Sequence, residues 1–440
     1  MNMKKQDLLT DPSWKKYVKK KNNTSEKTLG NYLFSLVQFC NANNKRFDEI
    51  IQQVLEEQYP YIDEYGRIHE YNPNYGTIDI FLYRTVDYLH EKGNKNNSIL
   101  AHLNRIRTVL HALNIKLPDK IELENEKDDW YVLSKDDIKF VNSISSLSHQ
   151  TLFTFMAHGG FRKGDVIRFT IEDFMEATFK YHGCTELDDF LEKAPEDMIG
   201  YWQFKPQKTK KHNLICKVYN TPESSNLLLR SLHRRQASIQ KMNEKKGTNY
   251  RLEKKDALFS SRKKNFKGPF NENTITTLCT RRNKELQKHH KRLLQQELKD
   301  GKISEETYNR KLEEIPIFHA HGLRKFFITT LARKRVDIRA SAFLEGHKPL
   351  MKHDSSYVDH DNLEDLIFEE YMRIIPALSL LKDEEDFELG QRNHDLQIEN
   401  TQLKHENEKL KEDSKELREG FRKEAKKVLD ELLRENNITL

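Results

Sequence analysis

Residues 321–324 read His-Gly-Leu-Arg, Gly346-His347 follows, and Tyr357 stands ten residues beyond that second histidine. This stretch combines a guanidinium group, imidazoles and a phenol. An arginine fork matches two phosphate oxygens, a histidine exchanges protons near neutral pH, and a tyrosine hydroxyl can become a covalent nucleophile. These residue types predict chemistry on a phosphodiester.

A second arginine lies upstream, where residues 159–165 read Gly-Gly-Phe-Arg-Lys-Gly-Asp. Arg162 follows a tight glycine turn and precedes an apolar-rich stretch at residues 166–174. It is therefore a candidate for a second phosphate contact. Asp165 stands three residues after it.

Residues 201–219 contain two β-prone runs around a basic turn, which predicts a β-hairpin. Pro206 suits an edge strand, because proline cannot donate to a strand ladder. The turn carries several lysines that could contact a phosphate or simply remain solvated: Lys205, Lys208, Lys210 and Lys211.

Taken in order, these motifs resemble those of the tyrosine recombinases, or phage-type integrases, and most closely those of archaeal mobile-element integrases. The family pattern is an arginine with an acidic residue three positions later, a hairpin lysine, His-x-x-Arg, Gly-His and a tyrosine about ten residues on. The resemblance covers roughly residues 10–380, and its specific motifs lie in the predicted second domain, residues 129–382.

The resemblance implies a role for each residue. Arg162 and Arg324 would hold the non-bridging oxygens of the scissile phosphate and offset the charge of the transition state. Tyr357 would attack in line, giving a 3′-phosphotyrosyl link and a free 5′ hydroxyl, so that rejoining needs neither a metal nor ATP. Lys208, in Lys-Thr, best matches the lysine that protonates the departing 5′ oxygen. The expected reaction uses no cofactor.

Three further roles follow from the same resemblance. His321 would take the tyrosine proton or bond the phosphate, and His347 would supply another donor. Asp165 would orient or neutralise nearby cations without touching the substrate. The spacing from His347 favours Tyr357 as the nucleophile, with Tyr371 as its competitor.

The pair His319 and His321 also suggests a metal site. Residues two apart point in different directions on a helix, and no acidic or cysteine partner stands nearby at ligand spacing. We therefore expect no metal. A non-catalytic DNA-binding or architectural protein on a decayed integrase scaffold is the alternative function, and a metal-dependent nuclease is a third.

Composition narrows the class of protein. The chain has 440 residues, enough for two or three domains, and a mean hydropathy of −0.85. It has no apolar run long enough for a membrane span, and its first residues carry lysines without an apolar segment. The four cysteines are scattered without metal or disulfide spacing. We expect a reduced cytoplasmic protein of prokaryotic or viral, mobile-element origin, with no membrane contact.

The net charge of +6 conceals an uneven distribution. From Asp383 onward 11 Lys and Arg face 17 Asp and Glu, a balance of −6, which leaves +12 for residues 1–382. A basic body is the electrostatic footprint of a nucleic-acid binder. We expect double-stranded DNA at specific recombination sites as the partner.

Residues 1–122 are predicted to form a helical domain similar to the family's DNA-clamping core-binding domain. Ser25 can cap a helix with a periodic apolar stripe, and a second helix is predicted at residues 98–114. Basic residues of this domain and of the hairpin turn are candidate DNA contacts: Lys19, Lys20, Lys21, Arg105, Arg107, Lys210 and Lys211.

An acidic, polar linker at residues 118–129 separates this domain from a catalytic domain at residues 129–382. Ser134 is predicted to cap the first helix of that domain. A short strand or turn is expected at residues 256–261, and a long polar helical stretch at 273–314. The basic cluster at residues 288–292 reads more readily as a solvated helix face than as a DNA contact.

Two patterns near the end suggest self-association. Residues 363–376 have helical apolar spacing before a proline stop, and by resemblance this helix would pack on a neighbouring protomer. Leucines then recur every seven residues, with asparagines at the other seam position, which predicts a two-stranded coiled coil over residues 383–440: Leu389, Leu396, Leu403, Leu410, Leu417, Asn393, Asn400 and Asn407.

The predicted fold class is mainly α with a small antiparallel β-sheet: a helical core-binding domain, a mixed α/β catalytic domain and a C-terminal coiled coil. The predicted assembly is a homo-oligomer, dimeric on one DNA site and tetrameric in the synapse. The sequence does not specify the target site, and it does not separate integration from excision, resolution or transposition.

Overall fold

The structure is a computed structural model that describes residues 3–21, 24–124, 131–207, 215–260, 268–346 and 360–380. Several predicted features lie outside these ranges, namely Lys208, Lys210, Lys211, His347, Tyr357 and the coiled coil of residues 383–440. The chain divides into two compact units, Met1–Asp129 and Trp130–Leu440.

The described part of the first unit is helical with one short hairpin. Its elements are α1 (Lys5–Leu9), α2 (Pro12–Lys20), α3 (Glu26–Asn43), α4 (Phe47–Glu57), β1 (Tyr61–Ile62), β2 (Ile68–His69), α5 (Thr77–Glu91) and α6 (Asn96–Ala112), with a 3-10 turn at Pro73–Tyr75. As predicted, Ser25 caps α3 by accepting a hydrogen bond from the Thr28 amide. Helix α3 packs against α5 and α6 around one apolar core.

The basic segment at the start of this unit is anchored by its aromatic residues. Trp14 and Tyr17 are buried in the core, so their rings are not exposed for stacking against nucleic-acid bases. Lys20 donates to the Ala112 carbonyl, and Arg107 donates to the carbonyls of Pro118 and Asp119. Lys20 and Arg107 therefore bond the unit's own backbone, and their contacts with DNA stay a prediction.

The described part of the second unit is helical with a two-stranded sheet. Its elements are α7 (Lys135–Ser143), α8 (Leu147–Gly159), α9 (Lys163–Val166), α10 (Ile171–His182), α11 (Leu187–Lys193), β3 (Gly200–Phe204), β4 (Cys216–Asn220), α12 (Pro222–Lys246), α13 (Glu272–Lys299), α14 (Glu305–Glu313), α15 (Ala320–Arg333), α16 (Ile338–Leu344) and α17 (His360–Leu378). The mainly helical fold class with a small antiparallel sheet is confirmed. None of the helices described in either unit is long and apolar enough to cross a bilayer.

Helix α8 is the centre of this unit. Every residue from Thr151 to Gly159 is buried, because α7, α12, α15 and β4 surround the helix. A helix that is apolar on all sides belongs in the interior of a domain. The helix ends at Gly160, whose φ of +59° is the left-handed conformation that glycine adopts without strain.

The predicted hairpin is present. Strands β3 and β4 are antiparallel, with Gly200 opposite Asn220 and Phe204 opposite Cys216. Ser134 caps α7 in a capping box with Asp137, as its sequence predicted. In the stretch predicted as a short strand or turn, the described residues 256–260 contribute isolated bridges, Thr170 to Ala257 and Ser260 to Pro269.

The long polar stretch at residues 273–314 is two helices, because Gly301 (φ +69°) ends α13 and Ser304 caps α14. In the basic cluster, His290 Nε2 lies 2.6 Å from Asp137 Oδ1 and His289 stacks on Phe140. The two histidines therefore join α13 to α7.

Helix α17 packs against the core of its own unit. Its apolar face is buried in the main core of the same chain, at Leu363, Ile367, Tyr371, Ile374, Ile375 and Leu378. The Tyr371 hydroxyl donates to the His158 carbonyl at 3.0 Å. The expectation that this helix packs on a neighbouring protomer was therefore wrong. Pro376 also does not stop the helix, which continues to Leu378.

Truncating Tyr371 should destabilise the second unit. Tyr371→Ala removes a fully buried ring and should lower the free energy of unfolding by about 3–5 kcal/mol, as for other large aromatic truncations. Tyr371→Phe loses one hydrogen bond, which amounts to about 1 kcal/mol. Urea unfolding followed by circular dichroism measures both changes. The exposed neighbour Glu369→Ala is the control, and equal effects of Tyr371→Ala and Glu369→Ala would contradict the packing of α17.

Candidate active site

The site lies at the C-terminal end of α8, where the turn after α8, the start of α15 and the turn after α16 meet. The glycine turn after α8 leads into Arg162, which precedes α9, and α15 carries His321 in its first turn and Arg324 one turn later. The spacing His-x-x-Arg places both side chains on one face of a helix. Arg162, His321 and Arg324 line one open pocket of about 350 Å³.

Arg324 is the fixed point of this pocket. Its Nη1 donates to the Gly160 carbonyl at 2.6 Å, and its Nη2 donates to the Glu345 carbonyl. The residue is only 5% exposed. One guanidinium therefore joins the end of α8 to α15 and to the turn after α16.

The two arginines lie close enough to repel each other. Burial, together with the positive charge of Arg162, lowers the pKa of Arg324 to about 10. The side chain still carries its charge at neutral pH. An anion bound beside both guanidinium groups would relieve this repulsion, so the pocket is suited to an oxyanion.

Asp165 connects the arginine turn to the hairpin. Its Oδ1 accepts a hydrogen bond from the Gln207 amide at 3.0 Å. Burial raises the pKa of Asp165, and that amide together with Arg162, Arg168 and Arg324 opposes the shift. The carboxyl group thus anchors the end of strand β3, immediately before the lysine-rich turn, and contributes negative charge near the arginines.

Gly346 brings the chain up against Arg162. A side-chain carbon at this position would lie 3.4 Å from Arg162 Nη1 and 2.8 Å from Cys216 Sγ. The backbone also has a φ of +60°, so the position requires glycine. The chain therefore reaches the arginine pocket at Gly346. His347 and Tyr357 lie outside the residues that the structure describes.

Tyr371, the competing nucleophile, is remote from such a role. It is completely buried, its hydroxyl is bonded to the His158 carbonyl, and burial raises its pKa well above the usual value. A nucleophilic tyrosine must reach its substrate and lose its proton. Tyr371 satisfies neither condition in this fold.

Other residues of the pocket were not singled out from the sequence. Lys163 lines it and donates to Thr276 Oγ1 at 3.2 Å, and Thr280 and Cys279 of α13 also line it. Cys216 approaches from β4, where burial raises its pKa to about 12 although Arg162 and Arg324 oppose the shift. Adjacency to Arg162 was a signal for Lys163, whereas the residues of α13 carry none in the linear sequence.

His319 and His321 are the two histidines that suggested a metal site. The rings of His319 and His321 have centroids 6.2 Å apart, and His319 Nδ1 lies 2.8 Å from the Ile317 carbonyl. Among the residues that the structure describes, no group of three or more potential ligands is close enough to hold a metal ion.

No protein-family model and no curated protein matches the chain. Among solved structures, it is similar to the Tn1549 transposon integrase in complex with transposon right-end DNA, with 13% identity, 81% of this chain and 98% of that chain covered, and a TM-score of 0.44.

It is also similar to the XerH site-specific recombinase bound to palindromic difH substrate, with 15% identity, 79% of this chain and 82% of that chain covered, and a TM-score of 0.40. A third similar structure is a lambda integrase dimer bound to a core site, with 12% identity, 81% of this chain and 94% of that chain covered, and a TM-score of 0.37. The structural neighbours are tyrosine recombinases and integrases. They do not bear on the narrower resemblance to archaeal elements, which stays a prediction.

Gly160 and Gly183 provide a matched test of the site. Both are left-handed helix caps, but a side chain at Gly160 would meet Phe327 at 2.4 Å, whereas Gly183 has open space. Gly183→Ala should cost about 1–2 kcal/mol of stability. Gly160→Ala should cost about 1–3 kcal/mol more, because the added carbon overpacks the core.

Only Gly160→Ala should also disturb the pocket, since the Gly160 carbonyl orients Arg324. Binding of inorganic phosphate, measured by titration calorimetry at a temperature where both variants remain folded, separates the two effects. Equal phosphate affinity in the two variants would contradict the role given to the Gly160 carbonyl.

Proposed function

We propose that the chain is a site-specific DNA recombinase that cleaves and rejoins strands through a 3′-phosphotyrosyl intermediate. The observation that carries the proposal is the joining of Arg162 and Arg324 in one pocket with His321, although Arg162 and Arg324 are far apart in the sequence. Two guanidinium groups that repel each other supply the charge that a pentacoordinate phosphate requires.

The chemistry is divided among the side chains by position. Arg162 and Arg324 would bind the non-bridging oxygens, aided by the positive N-terminal end of α15, where His321 stands. His321 would bond the phosphate or take the proton of the nucleophile. Tyr357 is proposed as that nucleophile, and the burial of Tyr371 supports this choice.

The remaining roles are proposals of the same kind. Lys208 would protonate the leaving 5′ oxygen, and the Asp165 bond to Gln207 supports a fixed hairpin base next to it. His347 would donate to the phosphate. The reaction needs no cofactor, because each phosphoester bond is exchanged for one of similar energy.

We assign three parts to the chain: a DNA-clamping unit at residues 1–122, a catalytic unit at 129–382 and a coiled coil at 383–440. Double-stranded DNA is the proposed partner, because residues 1–382 carry a balance of +12. Lys19 and Lys21 are exposed and Arg105 is half-buried, and they are proposed contacts for the DNA backbone. Lys210 and Lys211 extend this set to the hairpin turn. The proposed biological setting is integration or a related rearrangement of a mobile element inside a cell.

A trapped covalent adduct tests the reaction. The substrate is a duplex drawn from the junctions that flank the gene's own locus, with a nick near the presumed crossover. Cleavage releases the short fragment that carries the free 5′ hydroxyl, so the strand cannot be rejoined. The wild-type chain should give a protein–DNA adduct on a denaturing gel with EDTA present. Tyr357→Phe should give none, and Tyr371→Phe should keep it, because that variant removes only a buried hydrogen bond.

Each contrary result has a distinct meaning. An adduct in Tyr357→Phe would refute the nucleophile, and cleavage that disappears in EDTA would favour a metal-dependent nuclease. Tight, sequence-specific binding without any adduct would favour the non-catalytic architectural protein.

We also propose that residues 383–440 pair the protein through their leucine seam. A chain ending at Lys382 should then sediment as a monomer where the full chain sediments as a dimer. Asn400→Val should strengthen the dimer and Leu403→Ala should weaken it, because a seam asparagine fixes register at a cost in stability. Unchanged sedimentation of the chain ending at Lys382 would eliminate the coiled coil as the dimer contact.

A further inference from the structure

A second basic pocket lies at the opposite end of α8 from the arginine pair. It has a volume of about 300 Å³ and is formed by the start of α8, the middle of α12 and the bridged segment around Ser260 and Phe270. Arg234, Arg235 and His149 line it together with five serines and an apolar wall that includes Phe259. None of these residues takes part in the proposed cleavage reaction.

Arg235 places a buried guanidinium with unmet donors at this pocket. The side chain is 93% buried, since only 7% of the residue is exposed, and its Nη1 donates to the Ala257 carbonyl at 2.7 Å. Among the described residues, neither its Nε nor its Nη2 has a hydrogen-bond partner. A buried guanidinium with two unmet donors is an unusual and costly arrangement.

The local charge is positive on several sides. Asp256 attracts the Arg235 guanidinium, but burial still lowers the pKa of that arginine to about 10. His149 Nδ1 is also buried without a hydrogen-bond partner in the described part of the chain. Burial lowers the pKa of His149, and Arg282 and Arg281 of α13 lower it further.

The helix end adds to this charge. Ser146 precedes α8 and lines the pocket, yet its side chain makes no capping hydrogen bond. The N-terminal end of α8 therefore presents backbone amides and the positive end of its dipole to the same space. Serine hydroxyls beside an arginine fork at a helix N-terminus are the donor set that binds phosphate groups.

We propose that this pocket is a second phosphate-binding site, separate from the cleavage site, which takes a phosphate group on Arg235, Arg234 and the start of α8. The phosphate either belongs to a small phosphomonoester, whose organic part would rest on Phe259 and Phe270, or to a DNA backbone. The inference does not rest on the recombinase reaction.

Titration calorimetry of the full chain with inorganic phosphate, and separately with phenyl phosphate, tests the site. Arg234 is exposed, so Arg234→Gln should fold normally and bind phosphate about tenfold more weakly at this site. Arg235→Lys should lose the same component, because it removes the fork. Arg230→Gln removes an exposed charge one turn away on α12, outside the pocket lining, and is the matched control.

Arg162→Lys separates this site from the cleavage pocket, because it should leave the second binding component intact. Loss of that component in Arg162→Lys or in Arg230→Gln, or no phosphate binding beyond the cleavage pocket in the wild-type chain, would overturn the proposal.

Competition distinguishes the two sources of the phosphate. If a short duplex of arbitrary sequence displaces phenyl phosphate from the Arg234-dependent component, and Arg234→Gln weakens that duplex more than Arg230→Gln does, the DNA backbone is the ligand. If phenyl phosphate and the duplex bind together, the ligand is a free phosphomonoester. Both results support a phosphate site.

Discussion

The buried guanidinium of Arg324 is the interaction on which the candidate site depends. It satisfies the carbonyl of Gly160 at the end of α8 and that of Glu345 after α16, so that two backbone segments are held against one side chain of α15. Carbonyls at a helix end have no partner within the helix, and an unpaired carbonyl in the interior is costly. The same contacts that stabilise the domain therefore fix an arginine in the pocket, and a lysine could not replace its two-pronged geometry.

This arrangement places positive charge where the helix would oppose an anion. The C-terminal end of α8 is the negative end of its dipole, which disfavours a phosphate. Arg324 occupies the Gly160 carbonyl and Arg162 stands beside it, while the positive end of α15 faces the same pocket. Asp165 limits the excess positive charge from the side of the hairpin. The two guanidinium groups thus offset the negative end of the α8 dipole and make the pocket suitable for an anion.

Much of this was readable from the sequence, for identifiable reasons. Local rules predicted the Ser25 and Ser134 caps and the hairpin, because each depends on residues close together in the sequence. The partners of Arg324, the cis packing of α17 and the backbone bond of Lys20 depend on contacts distant in the chain. Amphipathic spacing shows that a helix buries one face but not against which surface. The resemblance assigned α17 to a neighbouring protomer, and the burial of its apolar face in the core of the same chain corrected that assignment.

The two ends of α8 then have to be considered together. The helix has 13 residues, so about 20 Å separate its ends. At one end the dipole opposes an anion and two arginines overcome it, and at the other the dipole and Arg235 act in the same direction. Helix α8 is buried from Thr151 to Gly159, so a displacement at either end would move its neighbours, because α7, α12 and α15 pack around it. A phosphate bound at the Arg235 end would therefore act on the same rigid element that positions Gly160 and, through its carbonyl, Arg324.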